Sequence, residues 1–119
     1  MKDFKTLKVW EKAHNLTLEV YRVVLTFPRN EMYGLTSQIK RSCVSISANI
    51  AEGCGRKSDA ELARFLQISM GSASELEYHL LLSRDIGFLV SDDYQRLNDG
   101  VIEIKRMLSA FIKKLTAER

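Results

Sequence analysis

The sequence predicts an all-α fold, an antiparallel up-down-up-down four-helix bundle built as a single domain over residues 1–119. Three observations carry this. Apolar residues recur at three- and four-residue steps in four successive stretches. Cap and stop signals separate those stretches, leaving connections too short for crossovers. Nothing alternates with the two-residue period of a strand, and Pro28 is the only proline.

The first helix follows Thr6 and runs to about Phe27, with Leu7, Trp10, Ala13, Leu16, Val20, Val24 and Phe27 on one stripe. Pro28 stops it, because a proline disfavours helical geometry in the residue before it. Arg29 to Gly34 form the connection. The second helix runs from Leu35 and exits at Gly53-Cys54-Gly55. Ser58-Asp59-Ala60-Glu61 reads as a capping box for the third, in which the hydroxyl and the carboxylate each satisfy a free backbone donor. That helix continues to Ile86, and Gly87 supplies a left-handed exit. Ser91-Asp92-Asp93 is expected to cap the fourth helix and to set two carboxylates at its positive dipole end. Tyr94, Leu97, Val101, Ile104, Leu108, Phe111 and Leu115 then keep a heptad step suited to bundle packing.

The second helix is unusual because no ordinary solvent face can be drawn on it. From Leu35 to Gly53 its only charges are Lys40, Arg41 and Glu52. Leu35, Ile39, Cys43, Ile46 and Ile50 share the core arc. Beside it Gln38, Arg41, Ser42, Ser45, Asn49, Glu52 and Arg56 form a polar seam, and Ser37, Val44, Ser47, Ala48 and Ala51 clothe the remaining side. A helix clothed this way is expected to be covered on more than one side, by its own bundle and by another subunit. The middle of the third helix, Phe65 to Ser74, also lacks charge and is narrowed by Ser69, Gly71, Ser72, Ala73 and Ser74.

The residues of this region carry a resemblance. Glu31-Met32-Tyr33-Gly34-Leu35-Thr36-Ser37-Gln38-Ile39 and Ser45-Ile46-Ser47-Ala48-Asn49-Ile50-Ala51-Glu52-Gly53, followed by Gly55-Arg56, resemble the signature of the small four-helix-bundle proteins encoded by intervening sequences of bacterial 23S ribosomal RNA genes. Relatives of that family include the accessory variability-determinant proteins of diversity-generating retroelements. The likeness extends to Leu7-Lys8-Val9-Trp10, Phe27-Pro28 and Arg64-Phe65-Leu66-Gln67-Ile68-Ser69-Met70-Gly71-Ser72, nearly the whole chain. It implies a bundle that assembles as a cyclic homo-oligomer, a pentamer, with a basic surface suited to RNA or DNA and no enzymatic chemistry.

Composition narrows the remaining classes. Eighteen Lys and Arg against fifteen Asp and Glu give a formal charge of +3, a mild excess that a ring would multiply on one surface. The candidate phosphate contacts are Arg56 and Lys57 before the third helix and Lys105, Arg106, Lys113 and Lys114 in the fourth, with Lys5, Lys8, Lys12, Arg22 and Arg64 in support. Cations in a last helical turn also complement the helix dipole, so the fourth-helix lysines have a structural reading as well. The seam residues Gln38, Arg41, Ser45, Asn49 and Glu52 read first as a hydrogen-bonded network fixing bundle register or a subunit interface, and second as a ligand contact.

Catalysis and metal binding find little in the residues. Glu11-Lys12-Ala13-His14 is half of a di-iron motif, and Glu75, Glu77 and His79 have the wrong spacing to complete it. Cys43 lies on the core arc, Cys54 is expected to be exposed between two glycines, and neither has paired zinc-ligand spacing. No cofactor is expected. No apolar run reaches membrane-spanning length and the N-terminus is broken by charge, so the expected location is the cytoplasm, without membrane contact. Two functional readings stand: a non-catalytic nucleic-acid binder favouring structured RNA or an RNA–DNA hybrid, and a scaffold docking a partner such as a reverse transcriptase.

Overall fold

A computed structural model describes residues 2–117. It contains four helices, α1 (Lys8–Val23), α2 (Leu35–Cys54), α3 (Asp59–Asp85) and α4 (Ser91–Thr116), and no strand among the described residues. Each helix packs on its neighbours in sequence, and α4 closes the square against α1. Cross-helix pairs fix the direction. Lys12 meets Glu103 and Glu19 meets Arg96 between α1 and α4, while Ser45 meets Ser72 and Ser42 meets His79 between α2 and α3. Rising numbers on one helix face falling numbers on the next, so the bundle is antiparallel throughout.

The core follows the expected stripes. Ile39, Ile46 and Ile50 of α2, Leu66, Leu76 and Leu80 of α3, and Leu97, Val101, Ile104 and Leu108 of α4 are almost wholly removed from water. At roughly 25 cal/mol per Å2 of apolar surface, each such side chain contributes on the order of 1.5–3 kcal/mol. Trp10 is a partial departure. Val9 takes the deep position, and Trp10 lies at the rim, stacked on His14 with ring centroids 4.9 Å apart and met edge-on by Phe4.

The ends of the helices refine the sequence reading. Helix α1 closes at Val23 and tightens into a single turn over Val24–Thr26, and Phe27 is already extended before Pro28. The Ser58 hydroxyl accepts from the Glu61 N–H at 3.1 Å, which realises the serine half of the capping box. Gly87 exits α3 with φ +86°, the left-handed geometry glycine adopts without a Cβ penalty. The cap expected at Ser91 is displaced by one residue. Val90 holds the extended cap position without any side-chain acceptor, and Ser91 is the first helical residue, leaving Asp92 and Asp93 to face the helix dipole.

The densest interface is α2 on α3, and small residues let it close. A Cβ at Gly53 would lie 2.9 Å from both Leu62 Cδ1 and Phe65 Cβ, so the two backbones approach as nearly as side chains permit. Gly71, by contrast, faces open space on the outer side of α3. The pair gives a signed prediction. Gly53→Ala should lower the unfolding free energy by about 1–3 kcal/mol through overpacking. Gly71→Ala, which meets no atom of its own chain, should raise the stability of the single chain by roughly 0.5–1 kcal/mol through helix propensity. Thermal unfolding of both variants beside the parent checks the two signs.

Candidate nucleic-acid interface and subunit contacts

The polar seam of α2 divides its residues between the bundle and the surface. Ser69 Oγ donates to the Ile46 carbonyl at 2.9 Å, and Ser45 and Ser72 share a hydroxyl–hydroxyl hydrogen bond at 2.8 Å. The Asn49 amide donates back to the Ser45 carbonyl and hydroxyl at 2.9 and 3.0 Å. Arg41 donates to Gln38, and Glu52 pairs with Arg56 at 3.1 Å one turn on. Gln38, Arg41, Ser45, Asn49 and Glu52 therefore all have polar partners within the chain. On α3, Glu75 lies 3.7 Å from His79, and Glu77 takes Lys105 at 2.8 Å.

Packing also brings together residues that are far apart in sequence. His79 stands 3.5 Å from Ser42 Oγ through Nδ1, with Glu75 beyond its Nε2. The order carboxylate, imidazole, hydroxyl is that of a nucleophilic triad, but the chemistry fails on access. Ser42 is buried and its hydroxyl is committed to the Ile39 carbonyl at 3.1 Å. Burial pushes the His79 pKa below its ordinary value; Glu75 opposes that shift and the nearby Arg41 adds to it.

The third side of α2 stays open within one chain. Val44 and Ala48 are exposed, and with Ser47, Ala51, Trp10, His14 and Thr17 they line a shallow apolar depression between α1 and α2. Ser47 Oγ is buried there without a hydrogen-bond partner among the described residues. Across the seam Ile68, Gly71 and Ser74 leave the outer face of α3 uncharged and exposed as well.

Charge is sorted along the long axis. The antiparallel topology gathers the start of α1, the α2–α3 connection and the end of α4 at one pole. Residues 2–12, 52–64 and 103–117 hold eleven of the eighteen Lys and Arg but only six carboxylates, whereas the other described residues hold six cations and eight carboxylates. Lys2, Arg56 and Lys57 share one cleft, and Lys8 and Lys114 share another. The six predicted phosphate contacts fare differently within this pole. Lys57, Arg106, Lys113 and Lys114 are exposed and make no ion pair among the described residues. Arg56 is held by Glu52 and by stacking on Phe65 at 4.8 Å, and Lys105 is engaged by Glu77. Arg64 also stacks on Phe65, while Arg22 lies at the opposite pole, near the end of α1. Lys2 was not a candidate from sequence, because only the fold carries the N-terminus to Cys54, whose carbonyl accepts its N–H at 2.9 Å.

With this geometry in place, the comparison with known families is decisive. Residues 5–110 match the family model described as 23S rRNA-intervening sequence protein. The chain belongs to that family. A crystal structure of a protein with unknown function from the S23 ribosomal protein family of Bacteroides thetaiotaomicron VPI-5482 is similar over 88% of this chain and 98% of its own, at 28% identity and a TM-score of 0.80. No curated protein matches the chain. The four helices of this family member thus agree with its assignment, and no helix among the described residues is long and apolar enough to cross a membrane.

Both cysteines differ from surface thiols. Cys43 and Cys54 are free and buried, which corrects the expectation of an exposed Cys54: Leu62 and the N-terminal segment close over the glycine turn. Burial raises the Cys43 pKa to about 11 and moves Cys54 in the same direction. No group of three metal-ligating side chains occurs among the described residues.

The His79 environment predicts a pH effect with a definite sign. A histidine whose folded pKa is depressed binds its proton first in the unfolded chain, so stability falls as pH drops from about 6.5 through the folded pKa. His79→Gln should flatten that part of the stability–pH curve while leaving the arm above pH 7 unchanged, as denaturant titrations at several pH values would register.

Proposed function

We propose that this protein is a non-catalytic, self-assembling bundle of the cytoplasm that binds nucleic acid through its basic pole, with structured RNA or an RNA–DNA hybrid as ligand. The observation that supports this most is the gathering at one end of the molecule of three separated stretches that together hold eleven Lys and Arg against six carboxylates. Exposed Lys57, Arg106, Lys113 and Lys114 suit phosphate neutralisation, which requires positive charge at the right spacing and no base-reading geometry. Arg56 and Lys105 act more as structural cations, since each already holds a carboxylate.

Self-assembly follows from the open side of α2. A depression lined by Trp10, Val44, Ala48 and Ala51, with an unpartnered Ser47 hydroxyl, is an unfavourable surface to leave in water. We read it as the contact with a neighbouring subunit that receives the uncharged outer face of α3. Two different faces meeting is a heterologous contact, which closes into a ring when the rotation permits. The family resemblance favours five subunits. A ring repeats the basic pole around one rim, where the fields add.

A protein-docking scaffold, with a partner such as a reverse transcriptase, is the second reading. It is favoured by an exposed apolar group at the pole opposite the lysines, where Leu25, Met32, Tyr33, Ile86 and Val90 are all uncovered.

The salt dependence of binding separates the two. Affinity for a structured RNA hairpin should fall linearly on a log–log plot against salt, and Lys113→Glu with Lys114→Glu should weaken it about tenfold or more and reduce the slope by roughly two. Lys105→Gln should alter binding far less than stability. A salt-insensitive affinity, or one unmoved by the Lys113 and Lys114 reversal, would refute the nucleic-acid reading.

A further inference from the structure

The α1–α4 side of the basic pole holds a feature that phosphate binding does not require. Lys12 faces Glu103, Leu16 packs on Gly100 and Glu19 faces Arg96, so the register places the first turn of α1 beside Met107. Helix α4 continues from there to Thr116, but the chain ahead of α1 does not accompany it. The turn Phe4–Thr6 swings towards α2, where Phe4 meets Trp10 and the Lys2 N–H reaches Cys54. Among the described residues, the last turns of α4 therefore lack a neighbour on the α1 side. Met107, Phe111 and Leu115 continue the apolar stripe of α4 there but are only half-buried.

The result is a groove of about 300 Å3 floored by Leu7, Met107, Ala110 and Phe111 and edged by Lys8 and Lys114. Its size is at the lower end of small-molecule sites and suits two bulky aliphatic side chains. Two helices border it in antiparallel array, which is the setting in which a further amphipathic helix lays its apolar face. The surroundings are cationic. Lys8 and Lys114 line it, Arg106 and Lys113 are exposed on the adjoining flank of α4, Glu103 is neutralised by Lys12, and Glu11 is the one other carboxylate on the nearby turn of α1.

We propose that this groove docks an acidic amphipathic helix of a partner protein, with two large apolar residues one turn apart on Leu7, Met107 and Phe111 and flanking carboxylates on Lys8 and Lys114. Charge complementarity selects this occupant. The floor needs apolar anchors that a phosphate backbone lacks, and the edge repels a basic helix. The proposal stands whether or not the pole binds RNA, because its apolar half is indifferent to phosphate.

The test uses the full chain and a labelled helical peptide with two leucines four positions apart and glutamates on both flanks. A second peptide keeps the leucines and exchanges every glutamate for lysine. Fluorescence anisotropy should show the acidic peptide binding at least about tenfold more tightly than the basic one. Ala110→Trp fills the groove from an exposed position without entering the core. It should weaken the acidic peptide at least about tenfold, and Lys8→Glu with Lys114→Glu should do the same. RNA affinity should survive Ala110→Trp. Equal binding of the two peptides, or undiminished binding by the Ala110→Trp protein, would overturn the proposal. So would a loss of RNA affinity in Ala110→Trp that parallels the loss of peptide, or a drop in oligomeric mass, since the groove would then belong to RNA or to a second copy.

Discussion

The structure depends on how closely α2 and α3 approach. Gly53 gives the Leu62 and Phe65 turn direct access to the α2 backbone, and Ser69 reaches across to the Ile46 carbonyl. A serine that donates to a partner helix's backbone needs that backbone near, so the small residues of α3 and the hydrogen bond require each other. Each such bond contributes about 1 kcal/mol net, but leaving its buried partners unpaired would cost more. The contact thus favours one register over alternatives a turn away.

Two consequences follow from that register. The polar seam becomes self-contained, with Ser45, Ser72 and Asn49 satisfying one another and Glu52 holding Arg56. Turning the seam towards α3 also leaves the other flank of α2, Val44 to Ala51, facing outward beside Trp10. The same antiparallel stacking that buries the core sorts charge by pole. Three stretches, each mildly basic or balanced on its own, become one basic end. Fold and surface field therefore arise from a single arrangement.

Much of the fold was legible because each helix is bounded by local chemistry: Pro28, Gly55 at the end of α2, Ser58 and Gly87 all act within a few residues of where they stand, although Gly53 and Cys54, read as part of the exit, are the last residues of the helix itself. The misreadings are also local. Ser91 looked like a cap because hydroxyls cap well, yet Val90 is extended and takes the place by backbone geometry alone. Cys54 looked exposed because glycines flank it, but glycines also permit the close cover that buries it. The candidate site was less legible because it is a tertiary object. Spacing along one helix identifies the seam, whereas the Lys105–Glu77 pair and the approach of His79 to Ser42 depend on how helices face one another. Lys2 joins the pole only through a backbone bond to Cys54 that no periodicity announces.

The central claim is an assembled bundle whose basic pole holds phosphate, and solution mass tests it most directly. Light scattering would be run with and without a structured RNA, at low and at moderate salt. The account predicts a particle several times the 13.6 kDa chain in both salts, gaining RNA mass at low salt and releasing it as salt rises. A 13.6 kDa monomer would contradict the reading of the open α2 face, and an oligomer indifferent to RNA at low salt would contradict the reading of the pole.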